Sequence, residues 1–280
     1  MGCHAMKISF IIPTYNTLAL TQKCLETLRS TVNLDNHELF IIDDVSTDGT
    51  REYLQTLPSS YQITCNTTNQ GYGRNCNQAA QTARGDLLCF CNSDLIFLKG
   101  WLKPMVDAFE RFEAIGLVGN MQRRVDNDWI DHLGVFFLRN GMPLHVAQNK
   151  THAPVLRYLP VSAVTAACCM VRTPLFRQFG GFSDDYLNGF EDTDLCLRMN
   201  QAGYQHYVAT RSTVRHHISA SPGRKTKEDQ NLKLFCERWL AVTKVIAERE
   251  KPTWDTFHYI LQAPQFVRWP LLLQSWIRFF

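Results

Sequence analysis

The chain has 280 residues, a formal net charge of +3, 45% hydrophobic and 20% charged residues. That length suits one large domain or two small ones around a sizeable core. So slight a charge gives no ground for a nucleic-acid partner, and it is compatible with an anionic small molecule or membrane surface.

The opening "MGCHAM" precedes a second methionine and reads as an expression scar over residues 1–6, set apart from the fold. No signal peptide is recognised, and no apolar run reaches the about 18 residues a bilayer span needs. Ten cysteines are present, without a CxxC pair. Cys89 and Cys91 alternate on a predicted strand, and Cys168 and Cys169 share an apolar run. Such placement predicts buried free thiols in a reducing compartment, hence a cytoplasmic protein, rather than a disulfide framework or zinc site.

In chain order, "KISFIIPTYN" (7–16) predicts a β-strand, and residues 17–30 a helix capped by Thr17. "HELFIIDDVSTDGT" (37–50) predicts a buried strand ending in acids, followed by a helix started behind Ser46 or Thr47. A third strand is expected at 61–65 and a helix at 77–84 closed by Gly85. "DLLCFCNSD" (86–94) is the next strand and 100–112 the next helix. Strands that are apolar without alternation, separated by helices, predict a parallel sheet covered on both faces. Ligands bind beyond the carboxyl ends of such strands, which makes "PTYN", "DDVSTD" and "NSD" the informative clusters.

Beyond residue 115 the pattern loosens into strands expected to pair antiparallel, through "IGLVGNMQRR" and "DHLGVFFLRNG". Residues 161–182 predict a buried strand, a short helix begun by Pro174, and a glycine turn. "EDTDLCLRMNQAG" (191–203) predicts a helix with Glu191, Asp192 and Asp194 in its first turn and Gly203 at its end. "YQHYVATRSTVRHH" reads as a strand pair leading to His216 and His217. A basic, mobile loop is expected at 221–231. The aromatic tail at 257–280, broken by Pro264 and Pro270, fits either core packing or an interfacial membrane anchor. These shifts divide the chain into 7–115, 116–221 and 222–280.

The chemistry-bearing groups are the strand-end acids Asp43, Asp44 and Asp94, the pair Glu191–Asp192, and the late histidines. One Asp with one His is a sparse donor set, suited to a divalent cation whose other positions go to diphosphate and water. A carboxylate at a helix start stays ionised and could act as a general base. Asp43 and Asp44 could instead cap the next helix, with Asp43 the better candidate for that duty. Trp129, Asp131 and His132 either contact an acceptor or, for the Trp, fill the core.

"IIPTYN", "IIDDVSTDGT", "GDLLCFCNSD", "GGFSDDYLNGFEDTDLCLRMNQAGY" and "VRHHISAS", in this order over residues 7 to 221, resemble family 2 glycosyltransferases of the bacterial polysaccharide and rhamnosyltransferase type. The resemblance implies an α/β GT-A fold: a Rossmann-like nucleotide-binding half on a mixed sheet, an acceptor-binding half, and a C-terminal helical extension. It implies inverting transfer of a hexosyl or deoxyhexosyl group from a UDP- or dTDP-linked nucleotide-sugar to a glycan or glycolipid hydroxyl.

Carried onto this chain, Pro13 and Tyr15 would line the base, and Asp44 would contact base or ribose. Asn92 and Ser93 would lie beside the diphosphate, Asp94 would ligate Mn²⁺ or Mg²⁺, and Asp192, with Glu191 beside it, would serve catalysis. His216 would complete the metal site, with His217 as the alternative. Two departures stand out. Asn92 replaces the first acid of the family's DxD, and in "NQGYGRNCNQA" Gly71 opens the expected glycine-rich loop while Arg74 sits two places off the usual Arg. Arg74 is therefore a candidate phosphate or base contact only. The competing readings are a non-catalytic nucleotide-sugar or glycan-binding module of a larger synthase, and a sugar-phosphate nucleotidyltransferase. The second would need a basic glycine-rich loop near the N-terminus, which "PTYNTLALTQK" lacks.

Overall fold

The computed structural model describes residues 6–151, 156–218 and 227–262, with 251–262 as backbone alone. Strands β1 (Ile8–Thr14), β2 (Glu38–Asp43), β3 (Gln62–Cys65) and β4 (Leu87–Cys91) run parallel. Helices α1 (Leu18–Thr31), α2 (Thr50–Gln55) and α3 (Tyr72–Thr82) connect them. Then follow β5 (Leu95–Phe97), α4 (Leu102–Arg111), β6 (Ile115–Arg124), β7 (Ile130–His132), β8 (Val135–Phe137), β9 (Pro143–His145) and β10 (Tyr158–Val161). The chain continues through β11 (Cys168–Arg172), α5 (Thr173–Gln178), α6 (Glu191–Gln201), β12 (Gln205–His216) and α7 (Glu228–Gln262).

A ten-stranded sheet has the path β10-β12-β6-β11-β4-β1-β2-β3, with β5 attached to β12 and β7 to β6. β11 runs antiparallel between β4 and β6, so one sheet crosses from the first half of the chain into the second. β8 and β9 form a separate hairpin.

The absence of polar alternation in the central strands follows from burial on both faces. Along β4, Leu87, Cys89 and Cys91 enter the layer beneath α1 and α4, while Leu88 and Phe90 enter the layer that includes α3, α5 and α6. β1 does the same, with Phe10 and Ile12 on one side and Ile11 on the other. A third cluster joins Phe137, Tyr186 and Leu197 to Phe235 and Trp239 of α7. The described cysteines are all free thiols, and seven of them are buried, as their pattern predicts. Among the described residues no helix is long and apolar enough to cross a membrane. The tail beyond 262, residues 1–5 and most of the basic loop lie outside the described residues.

Three elements differ from their predicted extent. α3 begins at Tyr72, five residues early, because side chains remote in sequence open it. Asn188 Oδ1 accepts from Tyr72 N at 2.9 Å, and Asp44 Oδ2 accepts from Gly71 N at 2.9 Å. α2 begins at Thr50 behind Gly49, and Asp48, not Ser46 or Thr47, accepts from its first N–H at 3.1 Å. Asp48 also accepts from Leu18 N, so one carboxylate starts both α1 and α2 while Thr17 turns its hydroxyl to Thr14, Thr21 and Ser93. Finally, 205–216 is one long strand, not a pair. A bulge between Ala209 and Thr213 absorbs the irregular pattern.

β12 is tied to its neighbours by His206. Leu117 N donates to His206 Nδ1 at 2.9 Å, which leaves Nε2–H to donate to Cys196 O at 2.9 Å. β6 passes so close that a Cβ on Gly116 would lie 2.5 Å from the ring. Burial drives the His206 pKa down to about 4, against the hydrogen bond to Cys196, which favours the charged form. A depressed histidine contributes stability that is complete above about pH 6.5 and lost as pH falls towards 4, where the unfolded chain alone is protonated. The limit for this group is about 3 kcal/mol. Buried His132 is shifted in the same direction. Urea denaturation at a series of pH values between 7.5 and 4 is expected to show that His206→Gln, less stable at pH 7.5, loses markedly less over the interval than the parent chain. Parallel losses would contradict this assignment.

Candidate functional site

The carboxyl ends of β1, β2 and β4 open into a cleft of about 580 Å³. Its floor is Pro13, Thr14 and Tyr15 after β1, Asp44 after β2, and Asn92, Ser93 and Asp94 after β4. The far wall is Thr165–Ala167 before β11, the 187–193 segment at the start of α6, the β8–β9 hairpin, and the first turn of α7. Strand-end polar groups gather here because the strands themselves are buried on both faces and leave polar side chains nowhere else to go.

The acids of "DDVSTD" divide their duties. Asp43 is fully buried, 2.9 Å from Arg51 Nη2, and accepts from Ser46 N, so it holds the turn into α2. Asp44 faces the cleft, yet its carboxylate already accepts from Gln70 N (2.8 Å), Gly71 N (2.9 Å) and Asn66 Nδ2 (2.9 Å). It therefore pins the 66–71 loop beneath the cleft. Gly71 has φ +77°, and a Cβ there would meet Leu187 Cδ1 at 2.4 Å, which accounts for glycine at this position.

On the other side of the floor, Asp94 Oδ1 lies 3.2 Å from His216 Nε2. His216 Nδ1 faces Asp131 Oδ2 at 3.7 Å, and Asn92 Nδ2 is 3.4 Å from His216 Nε2. Burial opposes the charged form of His216, but its hydrogen bonds to Asp131 and Asp94 outweigh it and raise the pKa to about 9. Burial likewise opposes ionisation of Asp131, and the His216 contact overrides it and lowers that pKa. The two carboxylates thus favour the positively charged form of the His216 ring.

The pair also has the spacing of a cation site. Two neighbouring ligands of an octahedral Mg²⁺ or Mn²⁺, each at about 2.1 Å, stand about 3.0 Å apart. No group of three or more His, Cys, Asp or Glu among the described residues could hold a cation unaided. The donor set fits a metal that shares its coordination with a substrate, and Asp131 is placed to orient the His216 ring. His217 is exposed and meets Asp94 only through its backbone N–H, at 3.2 Å.

Across the cleft, Asp192 is fixed at the start of α6. Its Oδ2 accepts from Ala166 N at 2.9 Å and its Oδ1 from Thr193 N at 2.7 Å. Glu191 accepts from Gly189 N and so closes the turn before the helix. Asp194 turns away, bonding Arg198 at 2.8 Å and Trp239 Nε1 at 2.8 Å.

The structure thus gathers Pro13, Tyr15, Asp44, Asn92, Ser93, Asp94, Glu191 and Asp192 around one cleft, with His216 bonded at its floor. Gly71 lies just behind. Arg74 does not join them: it sits in the first turn of α3, donates to Asp184 O at 3.1 Å, and lines a separate depression with Asn66, Gln70 and Asn77. Trp129 is 42% exposed and is no core residue.

Several cleft residues escaped the motif reading. Thr165–Ala167 act through backbone N–H groups, which leave no mark on residue type. Asn188 acts by accepting from Tyr72 N, a contact between segments 116 residues apart that no local pattern marks. Glu228 and Asn231 belonged to a stretch read as loop. His145, on β9, meets His132 Nδ1 at 2.9 Å, and His132 Nε2 accepts from Thr165 N at 3.2 Å. No spacing pattern announced that pair.

The sequence profile described as Glycosyl transferase family 2 matches residues 9–180. Uncharacterized protein y4gI of Sinorhizobium fredii is 29% identical over 228 residues, 77% of this chain and 25% of that protein. N-acetylglucosaminyl-diphospho-decaprenol L-rhamnosyltransferase of Mycobacterium tuberculosis is 26% identical over 212 residues, 66% of this chain and 68% of that one. The chain thus spans about a quarter of the first relative and about two thirds of the second. Among solved structures, GalNAc-T7 with UDP, GalNAc and Mn²⁺ superposes with a TM-score of 0.64 at 13% identity, over 75% of this chain and 44% of that one. The mixed sheet and this likeness make the architecture a GT-A fold.

Asp44→Ala leaves three N–H donors beneath the cleft without their acceptor and is expected to cost about 3 kcal/mol in urea denaturation, with faster amide exchange at Gln70 and Gly71. Asp44→Asn, which keeps one oxygen, should lose less. A loss within about 0.5 kcal/mol for Asp44→Ala would contradict the pinning role.

Proposed function

The chain belongs to glycosyl transferase family 2, and from that premise we propose that it transfers a sugar from a UDP- or dTDP-linked donor, with inversion, to a hydroxyl of a glycan or glycolipid in surface polysaccharide or lipopolysaccharide synthesis. One observation carries the reading: Asp94, backed by His216 at 3.2 Å, and Asp192 line the same cleft. The relative that is, by its name, an L-rhamnosyltransferase acting on a polyprenol-linked sugar supports a lipid-linked acceptor.

Pro13 and Tyr15 form the wall against which the base would lie, over the loop that Asp44 holds. Asn92 and Ser93 flank the diphosphate. Asp94 and His216 would hold Mn²⁺ or Mg²⁺, which supplies Lewis-acid neutralisation of the charge developing on the leaving nucleoside diphosphate. Asp192 takes the proton of the attacking hydroxyl, held in one orientation by Ala166 N and Thr193 N. Glu191 keeps the preceding turn closed, so that the base points across the cleft. Attack opposite the leaving group is a single displacement and inverts the anomeric centre. The aromatic tail, outside the described residues, is proposed as a peripheral contact with the inner face of the membrane.

Nucleoside diphosphate release from a panel of UDP- and dTDP-sugars with Mn²⁺ tests the assignment. Asp192→Asn is expected to lower kcat by about 10²–10⁴-fold with little change in donor KM. The product's anomeric coupling by NMR should be opposite to that of the donor. Unchanged release in the variant, or retained configuration, sinks the mechanism.

A further inference from the structure

Past the Asp94–His216 pair the cleft continues into a half walled by Val135 and Pro143, by the 187–190 turn, and by the first turn of α7. α7 lies beyond the residues 9–180 that the family profile covers.

Phe190, two residues before Asp192, lines the cleft. Its φ of +72° is a left-handed conformation that a bulky side chain adopts only under constraint. The constraint is visible. Leu187 N donates to Asn231 Oδ1 at 3.2 Å and Asn231 Nδ2 donates to Leu187 O at 2.8 Å, a reciprocal clamp from a residue 4% exposed. Asn188 Oδ1 is tied to Tyr72 N, and the Phe190 ring packs 4.9 Å from Phe235. The turn therefore holds an aromatic side chain in the lining of the cleft, close in sequence to Asp192.

Charge gives the second line of argument. The acidic side chains lining the cleft are Asp44, Asp94, Glu191, Asp192 and Glu228, and among the described residues no Lys or Arg lines it. Three of those acids, Glu191, Asp192 and Glu228, stand in this half. An acceptor carrying its own carboxylate or phosphate here would face like charge from these side chains. An uncharged ring with hydroxyl donors would not, since carboxylates accept from hydroxyls and an aromatic face takes the apolar C–H side of a sugar.

Resting on the glycosyltransferase reading above, we propose that this half of the cleft receives an uncharged pyranose as the acceptor residue, its C–H face on Phe190 and a hydroxyl on Glu228, with Asn231 holding Phe190 in place. Any phosphate of a lipid carrier then lies outside it, and α7 sets acceptor specificity.

The test is saturation-transfer NMR on the full chain with UDP or dTDP and Mg²⁺. The probes are the methyl glycosides of glucose, galactose, mannose and N-acetylglucosamine, beside the methyl glycosides of glucuronic and galacturonic acid. At least one neutral glycoside is expected to be saturated most strongly on the protons of one ring face, and the uronates should bind at least about tenfold more weakly. Phe190→Leu should remove the face preference and Phe190→Trp restore it, while Glu228→Gln should narrow the gap between neutral and charged probes. Uronates bound as well as neutral sugars, an unchanged gap in Glu228→Gln, or nucleotide binding with no neutral sugar saturated would each overturn the inference. Failure to bind either nucleotide would instead count against the glycosyltransferase reading itself.

Discussion

Asp94 and His216 are 3.2 Å apart in space, and the whole rim of the sheet is arranged to keep them so. Asp94 follows β4, the central parallel strand. His216 ends β12, which pairs with β6 in the second half of the chain and with β5, the strand that begins directly after Asp94. Leu95 and His216 are register partners, so the β5–β12 ladder sets the separation of the two side chains directly. With Asp131 on β7 behind the imidazole, the site draws on both halves of the sheet and exists only when the sheet is complete.

The cost of that arrangement is a concentration of buried acid, and the fold disperses it by giving each carboxylate its own donors. Asp43 meets Arg51, Asp44 meets three N–H groups, and Asp194 meets Arg198 and Trp239. What is left facing the cleft is a smaller set with chemistry in prospect. Asp94 faces His216. Asp192 is oriented by two backbone amides yet still lines the open space. Backbone amides suit this task, since they fix a carboxylate's direction without adding a competing full charge.

The parallel half was legible in residue order because its strands carry apolar side chains to both faces, and the polar residues at their ends could only be loops or site. Asp94 and Asp192 could be placed beside one cleft from motif and order, and of the two late histidines His216 is buried and His217 exposed. What was not legible has a common cause: it depends on contacts between segments far apart in sequence. The start of α3 is made by Asn188 and Asp44, the clamp on the 187–190 turn by Asn231, and the orientation of Asp192 by Ala166 N. Arg74 was misjudged for the same reason. A helix that begins five residues earlier than its local pattern suggests turns that side chain out of the cleft and towards Asp184.

The central claim is that Asp94 and His216 jointly hold a divalent cation with the donor's diphosphate. Pulsed electron paramagnetic resonance of Mn²⁺ bound to the chain with UDP or dTDP tests it most directly, because imidazole nitrogen and phosphate phosphorus both couple to the metal. The account predicts modulation from one histidine nitrogen together with phosphorus coupling, the nitrogen signal vanishing in His216→Ala and persisting in His217→Ala. A Mn²⁺–nucleotide complex without imidazole nitrogen, or one whose nitrogen signal follows His217, would contradict it.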